Sequence, residues 1–123
     1  MTSFERRSLI PASAEELLAW HLRPGAFERL VPPWDGTRVA SRSGSIEENS
    51  MRVELSVPLP GGLRQRWKLH HENFSPTGAF DDVLDKGAFP AWRHEHRMVD
   101  RGDGMSDLLD SISYTLPLSL IHI

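Results

Sequence analysis

From Thr37 onward, apolar and polar side chains alternate with a period of two, the pattern of strands that bury one face. The alternation is cleanest over 51–59, where Val53, Leu55, Val57 and Leu59 oppose Arg52, Glu54 and Ser56. It recurs over 63–74, with Trp67, Leu69 and His71 opposite Arg66, Lys68, His70 and Glu72. Further strands are predicted at 37–43, 79–85, 91–99 and 105–116. In 91–99, Trp92, His94, His96 and Met98 share one face while Arg93, Glu95 and Arg97 share the other. In the last strand Leu108, Asp110, Ile112, Tyr114 and Leu116 fall together. The breaks between these runs carry turn residues: Gly44-Ser45, Pro60-Gly61-Gly62 and Arg101-Gly102-Asp103-Gly104.

Before Thr37 the pattern differs. Residues 3–10 read as a strand with imperfect alternation, ended by Pro11-Ala12. Ser13 is a good N-cap, and Glu16 three residues later completes a capping box. Leu17, Leu18, Trp20 and His21 follow on a short helix that Pro24-Gly25 ends. A second short helix is predicted over 26–30, running into Pro32-Pro33-Trp34. The expected fold is α+β: an antiparallel sheet of six or seven strands, with two short helices after the first strand. The short connections favour antiparallel pairing, because parallel strands need long crossovers. An apolar sheet face must be covered, and two short helices are too few to cover it. A long amphipathic helix is therefore expected after Pro117, beyond the strands.

The last six residues, LSLIHI, do not continue the strand pattern. They translate CTG TCT CTT ATA CAC ATC, which resembles the transposase end sequence used in preparing sequencing libraries. Residues 118–123 are accordingly expected to be a non-native tail. Residues 1–117 are expected to be one domain that lacks its closing element.

Charge narrows the range of partners. The net charge is −3, with no basic run, so no nucleic-acid footprint is present. Cysteine is absent, which removes disulfide and thiolate chemistry and fits a reducing cytoplasm. No run approaches the ~20 apolar residues of a membrane-spanning helix.

Three segments resemble the SRPBCC superfamily, the helix-grip fold of START domains, pollen-allergen-like proteins, polyketide cyclase/dehydrases and coenzyme Q-binding proteins. They are IPASAEELLAWHLRPGAFERLVPPW (10–34), KGAFPAWRHEHRM (86–98) and LLDSISYTLPL (108–118). The resemblance is closest to the cyclase-like domain that precedes some bacterial NAD-dependent epimerase-like proteins, and it covers nearly all of 3–117. It implies an apolar cavity between sheet and helix, and a possible fused or partner epimerase-like domain. The family pattern continues past the LP with glycine and a long C-terminal helix; this chain departs there.

The candidate chemistry lies on the apolar sheet face. His94 and His96 are two apart on one strand, so both imidazoles point the same way, beside Trp92 and Met98. Asp82 shares its side with Phe80 and Leu84, and Asp110 with Leu108 and Ile112. A carboxylate among apolar neighbours is costly unless paired, so carboxylate–imidazole pairing is expected. Three readings follow. The four groups are satisfied polar residues that line a binding pocket. Or His94 or His96, flanked by Asp82 or Asp110, is an acid/base for a cyclase-type proton transfer. Or the His-x-His pair binds a metal with His71 or an aspartate, for which the spacing alone is a weak signal.

The expected cavity wall adds Leu55, Trp67, Leu69 and His71 from the middle strands. Phe80, Trp92, Met98, Ile112 and Tyr114 follow from the later ones, and Trp34 from the rim. The tryptophans offer flat surfaces for a quinone or an aromatic polyketide, though aromatic residues also fill ordinary cores. Arg64, Arg66, Lys68, Arg93 and Arg97 are expected on a solvated sheet face. No dinucleotide fingerprint, P-loop or nucleophile elbow occurs. The function expected is binding of a lipid-, quinone- or polyketide-like molecule, without metal or cofactor. The alternatives are a cyclase/dehydratase, or an accessory domain to an epimerase-like neighbour.

Overall fold

The clean alternation of β3 and β4 fixes the centre of the sheet. In a computed structural model, which describes residues 2–23 and 36–117, β3 spans Arg52–Pro58 and β4 spans Arg64–Ser75. Their register sets Val53 opposite Leu69 and Leu55 opposite Trp67 on the inner face. On the outer face Glu54 reaches Arg66 at 3.3 Å and Lys68 at 3.7 Å. These exposed pairs add little; the buried apolar pairs hold the strands together.

Among the described residues the other strands are β1 (Thr2–Ile10), β2 (Arg38–Ser43), β5 (Ala79–Lys86), β6 (Ala91–Gly102) and β7 (Met105–Thr115), with α1 at Ala14–Leu22 and a 3-10 turn at Pro60–Gly62. Among the described residues the sheet has seven strands in the order β1-β7-β6-β5-β4-β3-β2, every pairing antiparallel. The sequence-predicted strands and their seams are all present. The first strand closes against the last, so β2 to β7 form a meander and β1 covers the edge of β7. The second predicted helix (26–30), Trp34 and the tail 118–123 lie outside the described residues.

Turn chemistry accounts for the seams. Gly44 turns β2 toward β3 at φ +77°, and a Cβ there would lie 2.1 Å from the Ser50 carbonyl oxygen. Only glycine fits that approach. Helix α1 begins at Ser13, whose Oγ accepts from the Glu16 amide at 3.1 Å and donates to Glu16 Oε1 at 3.3 Å. Its buried stripe is Ala14, Leu17, Leu18 and His21.

The core comes in two parts. Leu17 and Leu18 of α1 pack on Phe80 and Met98 of the sheet. Val53, Leu55 and Leu69 form a second cluster with Trp67, Leu84 and Trp92 around it. The outer face differs from the expected solvated one. Arg93 and Arg97 converge there on Asp81, which is 0% exposed. A register shift between Glu72 and Ser75 puts Asn73 at φ +58°, and its amide also donates to Asp81 at 2.9 Å.

Candidate functional site: a histidine–aspartate cluster in an apolar cavity

Sheet register assembles the polar floor of the inner face. His71, Asp82, His94 and Ile112 lie in one cross-strand row from β4 to β7. Phe80, His96 and Asp110 lie in the next row. The alternation along each strand turns all seven side chains to the same side.

The contacts run as a chain of alternating imidazoles and carboxylates. His71 Nε2 lies 2.7 Å from Asp82 Oδ1, and His96 Nε2 2.9 Å from Asp82 Oδ2. The other side of the His96 ring faces Asp110, with Nδ1 3.5 Å from Oδ1. His94 Nε2 lies 2.8 Å from that same Asp110 oxygen. The His94 and His96 rings stack with centroids 3.9 Å apart, and Phe80 stacks on His96 at 4.4 Å. His71 and His96 are buried; Asp82, Asp110 and His94 keep partial exposure.

Burial pushes the Asp82 carboxyl up, but the contacts and charges of His71 and His96 outweigh it and hold the group well below the usual carboxylate range. His94 is lowered by burial and then by its neighbour His96, against the pull of Asp110. The folded site thus favours an ionised Asp82 and a neutral His94.

Above this floor is a cavity of about 640 Å³. Leu55, Trp67, Leu69 and Trp92 line its β3–β6 side. His71, Phe80, Asp82, His94 and His96 line its base. Among the expected wall residues, Met98 instead packs beneath α1, while Ile112 and Tyr114 share the inner face without lining the cavity. Asp110 likewise sits behind His94 rather than at the wall.

Several wall residues were not assigned to the cavity from the sequence, among them His21, Ile46 and Met51. His21 of α1 closes the cavity from above, its Nδ1–H donating to the Leu17 carbonyl at 2.8 Å. Its ring stands 6.3 Å from that of His96. Burial lowers its pKa, opposed by the Leu17 hydrogen bond. The signal was present, since His21 is one turn from the buried Leu17 on the same stripe. Ile46 and Met51 come from the β2–β3 connection; no periodic pattern marks Ile46, whereas Met51 shares the parity of Val53 and Leu55.

The same arrangement of strands and helix occurs in norcoclaurine synthase from Thalictrum flavum, with a TM-score of 0.75 at 13% identity over 99% of this chain and 73% of that one. That enzyme also has a structure in complex with dopamine and hydroxybenzaldehyde. A START superfamily protein from Mycobacterium smegmatis matches with a TM-score of 0.68 at 15% identity, over 94% of this chain and 79% of that one. The chain has the helix-grip fold of the SRPBCC superfamily. A nucleoside-diphosphate sugar epimerase from Corynebacterium glutamicum is 30% identical over 96% of this chain, with a TM-score of 0.71. This chain spans a quarter of that protein's length. No protein-family model and no curated protein matches the sequence. No helix among the described residues is long and apolar enough to cross a membrane.

Proposed function

We propose that this domain binds an apolar small molecule, lipid-, quinone- or polyketide-like, in the cavity between sheet and helix. The observation that carries the reading is the cavity itself. Its volume of about 640 Å³ is in the range of small-molecule sites, and aromatic and aliphatic walls meet a few polar groups gathered at one place. Such a site buries the body of a ligand on Leu55, Trp67, Leu69 and Trp92 and orients its oxygen atoms at the histidines. The small aromatic molecules bound by the Thalictrum enzyme support a ligand of that size for this fold. Titration with the apolar fluorophore N-phenyl-1-naphthylamine tests it. One saturable site that quenches tryptophan fluorescence and is lost in Leu55→Lys is expected. A probe that does not saturate, or that binds a folded Leu55→Lys variant equally well, overturns the reading.

A second reading has its own observation. The hydrogen-bonded His94–Asp110 pair at the cavity base has the form of a positioned acid/base. A cyclase or dehydratase acting on a polyketide-like substrate would use it. Replacing His94 and His96 with Phe separates the readings. A binding module keeps or gains affinity for the apolar probe, whereas an enzyme loses turnover by ~10²-fold or more. The match to a quarter of a sugar epimerase supports a third role, an accessory domain beside an epimerase-like partner.

A further inference from the structure

We infer that the base of the cavity is a binding site for one divalent first-row transition metal, held by Asp82, His94 and His96. The inference uses the cavity described above but not its organic ligand. One donor atom from each of the three residues lies within 4.8 Å of the other two. The set comes from two adjacent strands: His94 and His96 are alternate residues of β6, and Asp82 is the direct partner of His94 across β5. The ligand atoms of a tetrahedral ion with bonds of about 2.0–2.1 Å are about 3.4 Å apart. Two imidazoles and one carboxylate suit zinc, cobalt, nickel or ferrous iron, and such a set leaves coordination positions open.

The residues behind the three ligands strengthen the case. In metal sites, a ligating histidine commonly gives its other nitrogen to a carboxylate, and a ligating carboxylate is itself held. Both devices are in place. Asp110 Oδ1 receives His94 Nε2 at 2.8 Å and faces His96 Nδ1 at 3.5 Å. His71 holds the far oxygen of Asp82 at 2.7 Å. The open positions face the cavity, so the ion would meet an oxygen of any molecule bound there. The outer face offers a contrast: His70 stands between Asp85 and Glu72, with one imidazole and side chains open to solvent.

The metal-free 123-residue chain is titrated with Co²⁺, followed by visible absorption and calorimetry, and then with Zn²⁺. One Co²⁺ per chain is expected, displaced by Zn²⁺. His94→Ala and His96→Ala should each weaken binding by about 100-fold or more, and Asp110→Asn by about 10–100-fold, the effect of losing an outer partner. His70→Ala should leave it unchanged. A measurement on the unmutated chain guards against misfolded variants: Zn²⁺ should shift the ring resonances of His94 and His96 and leave those of His70 in place. No saturable uptake at millimolar metal, or uptake that survives the folded His94→Ala/His96→Ala double variant, overturns the inference. Binding of N-phenyl-1-naphthylamine is scored separately. A chain that binds the probe but no metal loses only this inference, and one that binds metal but no probe loses only the apolar-ligand reading.

Discussion

Asp81 and Asp82 are neighbours in sequence and face opposite sides of the same strand. Both are drawn out of water, and both hold a proton less tightly than a free carboxylate. Their partners differ. Asp81 is held by Arg93, Arg97 and Asn73, whose charge and donors do not change with pH. Asp82 is held by His71 and His96, whose Nε2 atoms lie 2.7 and 2.9 Å from its two oxygens. One side of β5 is therefore an arginine-held ionic rivet, and the other is a carboxylate held by imidazoles at the base of the cavity. The residue type decides neither role; the cross-strand neighbour does.

The largest effect should come from breaking the rivet. Asp81→Ala leaves two guanidiniums facing each other with their shared acceptor gone. Breaking a fully buried ion pair costs ~3–5 kcal/mol; with both arginines partly solvated, ~2–4 kcal/mol is expected. Urea unfolding measures it, and probe binding by the folded fraction should be unchanged. Asp82→Asn should cost less, ~1–2 kcal/mol, because the amide keeps the size of the carboxyl group and its oxygen can still accept a hydrogen bond from an imidazole. If the two substitutions cost the same, the distinction between the arginine-held and the imidazole-held carboxylate fails.

Ser13→Ala sharpens the comparison from the other direction. It removes the cap of α1, which covers only the inner face, and should cost ~1 kcal/mol. Hydrogen exchange in α1 should rise and the probe should dissociate faster, while the Asp81 contacts stay intact. Equal loosening on the outer face would argue against two independent sides.

The smallest effect is in pH dependence, measured on metal-free protein. Burial opposes the charge on outer-face His70, but its hydrogen bonds to Asp85 and Glu72 prevail and raise it. Its stabilisation is complete below the unfolded value near 6.5 and fades as pH rises through the folded pKa. Inner-face His94 is lowered, so the unfolded chain takes up a proton first as pH falls below 6.5, and stability drops on the acid side. Ring-proton titration should place His70 above 6.5 and His94 below it. His70→Gln should remove ~0.2–1 kcal/mol at pH 6 and less at pH 8. A steeper loss at pH 8 would reverse the assigned sign.

Period-two patterning predicted the strands because each run has opposite faces in opposite solvents, and Gly or Pro punctuates the seams. It also put His94, His96, Asp82 and Asp110 on one side. Parity assigns a face but not a neighbour or a depth. It set Met98 beside His96, yet Met98 lies farther along β6, beneath α1. It set Arg93 and Arg97 in solvent, because the carboxylate that gathers them stands on another strand. The turn at Asn73 adds a further donor to that carboxylate and had no hydropathy signature. Strand order was equally silent: nothing in the local pattern of Ser3 or Phe4 points to Ser113 and Ile112 as partners.

That last pairing has a consequence for how the protein is made. Strand β1 leaves the ribosome first, but its partners, Ser106 through Tyr114, are translated about 100 residues later. At ~5–20 residues per second the strand waits for about 5–20 s. β2 to β7 need only sequential hairpins and can zip as they emerge. β1 is thus the last strand able to join, and until it does β7 presents an open row of amides and carbonyls. The strand from a second nascent or refolding chain fits that row as well as the molecule's own. Exchange of β1 between copies is the expected by-product of refolding at high concentration, and dilution should suppress it.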